Sequence, residues 1–310
     1  MADILIPEFM DETVANRLKA DYDVYWDVDL WGKREELLER VGDARAIIVR
    51  NATQVDAELL EKAPDLKVVA RLGVGLDNID LDSCKARGIE VCPAIGANAN
   101  SVAEYVITTA AILLRGQGLR STADVVAGSW DRQRFSSGLE IAGRTLGVIG
   151  FGSIGQIMGA KGAAMGMKII AYDALLPDDA PAWDHAEKVA LEDLIARSDV
   201  ITLHCPLIPQ TRNLIDAAAF EAMKPGTILV NSARGGIVNE AACAAALRSG
   251  HLGGAALDTL DTEPITPETG KLFAGIDNLI LTPHIAGVTQ DANIRISEVA
   301  EKNVRRVLGT

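Results

Sequence analysis

The sequence predicts an α/β protein built from two doubly wound parallel-sheet domains. Three observations carry that prediction. Short β-rich runs alternate with amphipathic stretches from one end to the other, the pattern of parallel strands joined by helical crossovers. The alternation breaks off in a long helical region and restarts near Arg144. The 310 residues leave room for two domains of ordinary size, about 100–200 residues each.

In chain order, Ile4-Leu5-Ile6, Ala46–Val49, Val68-Val69-Ala70 and Ile89-Glu90-Val91 are predicted strands, being short, apolar and rich in β-branched side chains. Between them, Glu12–Ala20, Lys33–Val41, Asp56–Lys62 and Leu81–Arg87 carry apolar residues at helical spacing. Ser101–Arg115 predicts one long helix and Arg120–Gly128 a shorter one. After the restart, Leu146–Gly150 is a predicted strand, Ile154–Met165 a helix of small residues and Lys168–Asp173 a strand. Further strands are expected at Val200–His204, Ile228–Asn231, Ala255–Leu257 and Leu279–Leu281. Gln290–Leu308 closes the chain as a helix, with Ile294, Val299, Val304 and Val307 expected in the core. The expected division is residues 1–100 plus 285–310 in a substrate-binding domain and 101–284 in a cofactor-binding domain, the last helix returning to the first domain.

Composition removes several function classes. The net charge of −13 gives no basic footprint for nucleic acid, and any anionic ligand must be drawn in by a few locally placed arginines. The longest apolar stretch, Val102–Leu114, is broken by Glu104 and falls short of the roughly 20 residues a bilayer span needs. No charged leader followed by an apolar core opens the chain, so a cytoplasmic protein is expected. Cys84, Cys92, Cys205 and Cys243 lie far apart without metal-ligand spacing, so buried free thiols and no metal are expected.

The strongest local signal is Leu146-Gly147-Val148-Ile149-Gly150-Phe151-Gly152-Ser153-Ile154-Gly155. A lone G-x-G-x-x-G is weak, but this one ends an apolar strand and opens a helix, the context a dinucleotide fingerprint requires. Gly150 allows a tight turn, Gly152 lets the backbone approach a pyrophosphate, and Gly155 allows close helix–strand packing. The next strand ends in Asp173, 18 residues after Gly155, where a carboxylate accepts from ribose hydroxyls and repels a 2′-phosphate. The following Ala174-Leu175-Leu176-Pro177 offers no arginine for such a phosphate, so NAD is expected over NADP.

Three further polar residues follow predicted strands, at the end where open α/β sheets bind ligands. Arg234 lies in Asn231-Ser232-Ala233-Arg234-Gly235-Gly236, Glu263 in Asp261-Thr262-Glu263-Pro264, and His284 in Thr282-Pro283-His284. Hydride transfer at a 2-hydroxy or 2-keto acid needs these residue types. Histidine takes the hydroxyl proton near neutral pH. A carboxylate beside it fixes the imidazole tautomer and favours its protonated form. A planar guanidinium holds the substrate carboxylate and polarises the carbonyl oxygen.

In that ordered set the sequence resembles the D-isomer-specific 2-hydroxyacid dehydrogenases, above all their 3-phosphoglycerate dehydrogenase-like branch. The resemblance also takes in Arg71-Leu72-Gly73-Val74-Gly75-Leu76-Asp77-Asn78-Ile79-Asp80, Asn100–Glu104, Leu203-His204-Cys205-Pro206-Leu207 and Ala256-Leu257-Asp258. It implies a flavodoxin-like substrate domain and a Rossmann cofactor domain. Arg234, Glu263 and His284 are the implied catalytic residues. Cofactor contacts are implied at Val74, Gly150, Gly152, Ser153, Ile154, Gly155, Asp173, Cys205, Pro206, Ser232, Ala233, Arg234, Asp258, His284 and Gly287. Substrate contacts are implied at Arg50, Asn51, Gly73, Val74 and Gly75, together with Arg234 and His284. The resemblance further implies a homodimer, to whose interface the helical region after Ser101 contributes.

Arg50 with Arg234 suggests an acid carrying a second anionic group, of the 3-phosphoglycerate, 3-sulfolactate or dicarboxylic type. The serine-feedback module of longer phosphoglycerate dehydrogenases is not encoded up to Thr310, which weakens an expected role in serine synthesis and suits a catabolic sulfolactate enzyme. A reading from another class is an NAD(H)-sensing binding module like the C-terminal-binding-protein co-repressors, without significant turnover; reaction with any 2-keto acid discriminates. A formate- or phosphite-oxidising branch is a third reading, and the extra side chains expected around its nicotinamide are not evident.

Overall fold

A computed structural model describes residues 2–309 and shows two compact units, Met1–Asn98 with Val288–Thr310, and Ala99–Gly287. In the first unit, β1 (Ile4–Ile6), β2 (Val24–Trp26), β3 (Ala46–Val49), β4 (Val68–Arg71) and β5 (Glu90–Pro93) form a parallel sheet in the order β2-β1-β3-β4-β5. Successive side chains of a strand face opposite ways, so this sheet has two apolar faces. Ile4, Ile6, Ile48 and Ala70 pack with Val14 and Leu18 of helix Glu12–Lys19 and with Ile296, Val304 and Leu308 of helix Gln290–Leu308. Leu5, Ile47, Val49 and Val69 pack on the other face with Leu37, Leu59, Leu60 and Cys84, from helices Arg34–Arg40, Ala57–Lys62 and Leu81–Ala86.

The second unit holds β6 (Thr145–Ile149), β7 (Lys168–Tyr172), β8 (Glu187–Lys188), β9 (Val200–Leu203), β10 (Ile228–Asn231), β11 (Gly254–Leu257) and β12 (Leu279–Leu281). All are parallel, in the order β12-β11-β10-β9-β6-β7-β8. Leu146, Val148, Val200 and Val230 face Val102, Val106 and Leu113 of helix Ala99–Arg115 and Met158 of helix Ser153–Ala164. Ile149, Leu203, Leu229 and Leu257 face Leu194, Phe220 and Leu247. In each sheet the chain runs to one side of its first strand and then to the other. By the switch-point rule, ligand sites are expected outside the strand ends at β1/β3 and at β6/β9.

The structure departs from the sequence expectation at several elements: helices Leu191–Arg197, Ala217–Ala222 and Glu240–Ser249 were not singled out, and the expected helix Arg120–Gly128 is confined to Thr122–Val126. β2 and β8 were not expected, and β5 runs Glu90–Pro93 rather than Ile89–Val91. In helix Gln290–Leu308 the buried stripe is Ala292, Ile296, Ala300, Val304 and Leu308, so Ile294, expected in the core, stands 42 % exposed. Two residues turn a helix by about 200°, which sets Ile294 opposite Ala292. Val299 and Val307 flank the stripe, partly buried. Cys84, Cys92 and Cys243 are buried and Cys205 half-buried, all as free thiols. No helix among the described residues is long and apolar enough to cross a membrane.

Candidate active site

At the β6/β9 switch point the chain leaves β6 through Gly150-Phe151-Gly152 and enters the 12-residue helix Ser153–Ala164. Gly150 takes φ 91°, and a Cβ there would stand 2.7 Å from the His204 carbonyl, so the turn and the close approach both require glycine. A Cβ on Gly155 would lie 2.2 Å from the Gly150 carbonyl oxygen, which keeps helix and turn in contact. Over Gly152, by contrast, no atom lies within 4 Å of where a Cβ would be. The helix has no side-chain cap, so the leading N–H groups of Ser153, Ile154 and Gly155 meet no side-chain acceptor. An open cradle over a glycine at the positive end of a helix fits a pyrophosphate.

Asp173 directly follows β7. Its Oδ2 accepts from the Phe151 N–H at 2.8 Å, and its Oδ1 from the Leu175 and Leu176 N–H groups at 2.8 and 2.9 Å. A carboxylate offers about four lone-pair positions, so room for a ribose hydroxyl remains. The carboxylate thus also ties the glycine turn to the segment after β7. Phe151 is fully buried and stacks on Trp183 at 5.6 Å. At the β9 end, burial pushes the Cys205 thiol up to about 11 and the His204 imidazole down to about 4, so both are neutral near pH 7. Pro206 beside them is exposed. Ser232, after β10, has a buried Oγ with no hydrogen-bond partner among the described residues, an orphaned hydroxyl suited to a polar ligand atom.

Arg234, Glu263 and His284 follow β10, β11 and β12, three consecutive neighbours in the sheet. Asn231 shapes the first turn: its Nδ2 donates to the Arg234 carbonyl at 2.9 Å and its Oδ1 accepts from the Ala233 N–H at 3.1 Å. Arg234 Nη1 donates to the Ala233 carbonyl at 2.7 Å. A Cβ on Gly235 would lie 2.0 Å from the Leu260 carbonyl oxygen, so this turn rests against the loop that carries Glu263. Glu263 Oε1 accepts from the Leu260 N–H at 2.9 Å, and its Oε2 faces His284 Nδ1 at 2.8 Å. The Glu263–Pro264 peptide is cis.

Asp258 turns its carboxylate into the protein. It is 1 % exposed, and its oxygens accept from Thr282 Oγ1 at 2.6 Å and from the Ile285 and Ala286 N–H groups, each at 2.8 Å. Its carbonyl accepts from the His284 N–H at 2.9 Å. Gly287, half-buried, ends the second unit just beyond this loop.

The expected substrate-side positions belong to the first unit: Arg50 and Asn51 follow β3, and Gly73, Val74 and Gly75 follow β4. The buried Glu8 carboxylate accepts from the N–H groups of Arg50, Thr53 and Ala52 at 2.8, 3.0 and 3.1 Å. Asn78 Nδ2 donates to the Arg50 and Thr53 carbonyls at 2.9 and 2.6 Å. The Arg50 guanidinium lies 5.6 Å over the Phe9 ring and touches Asn293 Oδ1 at 3.4 Å. Burial pulls its pKa down, against the Glu8 charge, and among the described residues it forms no ion pair with a carboxylate. Sequence reading did not single out Glu8 or Asn78 as site residues. Glu8 sits two residues past β1 beside the β1/β3 switch point, and strand-end position was the signal available for it.

Comparison with known proteins places these geometries in context. Residues 109–286 match the family profile described as D-isomer specific 2-hydroxyacid dehydrogenase, NAD binding domain. An (S)-sulfolactate dehydrogenase of Chromohalobacter salexigens is 49 % identical over 310 residues, covering 100 % of this chain and 99 % of that one. A D-3-phosphoglycerate dehydrogenase of Mycobacterium leprae is 42 % identical over 307 residues, covering 98 % of this chain but 56 % of that enzyme. The chain thus spans about half the length of that relative. The crystal structure of a Thermus thermophilus protein superposes with a TM-score of 0.86 at 32 % identity, covering 98 % of this chain and 96 % of the other.

Proposed function

The chain belongs to the D-isomer-specific 2-hydroxyacid dehydrogenases, and from that membership we propose that it interconverts a small dianionic 2-hydroxy acid, of the 3-sulfolactate type, and its 2-keto acid with NAD. The observation that carries the chemistry is the 2.8 Å contact between His284 Nδ1 and Glu263 Oε2. An ionised carboxylate only accepts, so Nδ1 carries a proton and donates, which leaves Nε2 for the substrate. In the oxidative direction Nε2 takes the hydroxyl proton, and Glu263 balances the charge of the imidazolium that forms. In the reductive direction the same proton returns to the carbonyl oxygen. Arg234 holds the substrate carboxylate and polarises the C2 oxygen. NAD, when bound, would accept the hydride that leaves C2 of the hydroxy acid, and NADH would return it to C2 of the keto acid. Gly152 and the first turn of helix Ser153–Ala164 would hold its pyrophosphate, Asp173 its ribose, and the Ser232 hydroxyl would meet a polar atom of it.

Arg50 supports a second anionic group on the substrate, since a half-buried guanidinium that makes no ion-pair contact with a carboxylate among the described residues favours an anion. The near full-length likeness to a sulfolactate enzyme favours a sulfonate over a phosphate. The test follows NADH absorbance with both sulfolactate enantiomers, 3-phosphoglycerate, D-lactate, D-glycerate, D-malate and the matching keto acids. Preference for one dianionic acid supports the reading; activity with D-lactate equal to that with every dianion removes the substrate assignment.

We also propose that the protein works as a cytoplasmic homodimer. Leu119, Val126 and Trp130 of the second unit are 58, 83 and 78 % exposed, large apolar side chains within one short stretch of sequence that a second copy could cover. Four free thiols suit a reducing compartment. Sedimentation of the Val126→Asp, Trp130→Asp double variant tests the dimer, with a monomer expected.

A further inference from the structure

We propose that Tyr105 is a positioning residue for His284, acting through Thr282 and Asp258 to fix the loop on which the imidazole stands. The proposal rests on the reading of His284 as the acid/base. The loop Thr282–Ala286 leaves β12 at the edge of its sheet, and His284 on it takes a left-handed backbone, φ 56°, unusual for a residue with a Cβ. What grips this loop from beneath is Asp258, one of whose oxygens accepts from both Thr282 Oγ1 at 2.6 Å and the Ile285 N–H at 2.8 Å.

Tyr105 supplies a second anchor from a different element. It lies on helix Ala99–Arg115, whose apolar side packs against β6, β10 and β11, and its hydroxyl stands 2.7 Å from Thr282 Oγ1. The proton directions follow from counting. Thr282 has one hydroxyl proton, and the Asp258 carboxylate beside it only accepts, so that proton goes to Asp258. Tyr105 must then donate to Thr282. Burial and the Asp258 charge both raise the phenol pKa, against the bond to Thr282, so the hydroxyl keeps its proton. The result is a directed chain, Tyr105 to Thr282 to Asp258, spanning 177 residues of sequence and fastened to a rigid helix. Each donor polarises the next, so the Tyr105 hydroxyl strengthens the bond that holds the root of the loop. A loop so held keeps His284 Nδ1 in line with Glu263, and small errors in such alignment are costly to catalysis.

The experiment compares Tyr105→Phe, Thr282→Val, Thr282→Ser and the Tyr105→Phe, Thr282→Val double variant with wild type. Three quantities are measured: kcat and KM on the best acid of the panel, the NADH dissociation constant by fluorescence, and amide exchange at Ile285 and Ala286. Loss of one hydrogen bond predicts that Tyr105→Phe lowers kcat about 3- to 10-fold and speeds exchange of both amides by a similar factor. The NADH dissociation constant and the KM stay within about twofold, because Tyr105 is not among the positions read as cofactor- or substrate-binding. Thr282→Ser retains wild-type values, having kept the hydroxyl. The double variant falls no further than Thr282→Val alone, since both substitutions break one chain.

Unchanged exchange in Tyr105→Phe, or an additive double variant, would overturn the proposal. So would faster exchange with an unaltered kcat. Failure of the acid/base reading shows itself separately, as a His284→Ala variant that keeps wild-type turnover, whereas amide exchange reads the anchor whichever acid is used. A general loss of folding is recognised by a lowered melting temperature shared by Tyr105→Phe and Thr282→Ser.

Discussion

His284 Nδ1 and Glu263 Oε2 stand 2.8 Å apart although their loops leave different strands, β12 and β11. The pair is therefore set by the sheet and not by sequence proximity. On the proposed acid/base role, replacing His284 by alanine removes the proton acceptor while leaving the glycine turn and Asp173 intact. Turnover is expected to fall by about 10²–10⁴, the range for a general acid/base, with NADH affinity retained. Glu263→Gln keeps the shape but turns an ionised acceptor into a neutral one, so a smaller loss in kcat is expected. Stopped-flow or steady-state NADH absorbance measures both; a His284→Ala enzyme with wild-type kcat sinks the assignment.

Asp173 predicts a double phenotype. Its three backbone hydrogen bonds tie Phe151 to Leu175 and Leu176, so Asp173→Ala leaves three N–H donors without their acceptor. The apoprotein should lose on the order of 1–3 kcal/mol of stability, before any cofactor effect. The KM for NAD should rise and the preference over NADP should narrow, because a charge that repels a 2′-phosphate is gone. Denaturant melts without cofactor, beside kinetics with both coenzymes, separate the two effects. An unchanged melt together with unchanged coenzyme preference would show that the carboxylate does neither task.

The fold class was legible because buried parallel strands leave continuous apolar runs such as Ile228–Val230, and because Gly150, Gly152 and Gly155 each answer a separate steric demand. β2 was illegible since Val24-Tyr25-Trp26 is three residues between aspartates and only half-buried. β8 is two charged residues, Glu187 and Lys188, with no apolar signal at all. Ile294 misled because a large aliphatic residue was preferred to the smaller Ala292 and Ala300 that line the buried stripe. Polar networks were the hardest to read. The Glu8 carboxylate and the Arg50 loop it holds are 42 residues apart, and Tyr105 and Thr282 are 177 apart, so neither leaves a local pattern. Strand-end position, the residue types hydride transfer needs and the family resemblance together made Arg234 and His284 visible as candidates.

His204 predicts acid sensitivity that is independent of catalysis. Burial lowers its folded pKa from the ordinary 6.5 to about 4, with Nε2 3.0 Å from Thr202 Oγ1. Between those values the unfolded chain binds the proton and the folded protein does not. Stability from this group is therefore fully present above about pH 6.5 and is lost as pH falls toward 4. The loss approaches about 1.4 kcal/mol per pH unit within that window and levels off below it. Urea melts at pH 7 and pH 5 measure it. His204→Gln should be weaker than wild type at pH 7 yet show a flatter fall to pH 5; parallel falls in the two proteins would assign the acid sensitivity to other groups.

The proposed role of Arg50 is to choose the substrate class. Its backbone is pinned by Glu8 and Asn78, so an alanine there removes the guanidinium without releasing the loop. The chain carries a net charge of −13, which repels a dianion at long range, so local cations must overcome that field. Losing one charge-assisted contact is expected to lower kcat/KM for the preferred dianionic acid by about 10- to 100-fold. A monoanionic acid such as D-lactate, lacking the second group, should change by less than about threefold, so the ratio of the two specificity constants narrows. Arg50→Lys should recover only part of the loss, because a point charge replaces a planar fork. Equal losses for mono- and dianionic acids would mean that Arg50 acts on the common carboxylate or on the loop. No loss for either would leave its guanidinium without a part in substrate choice.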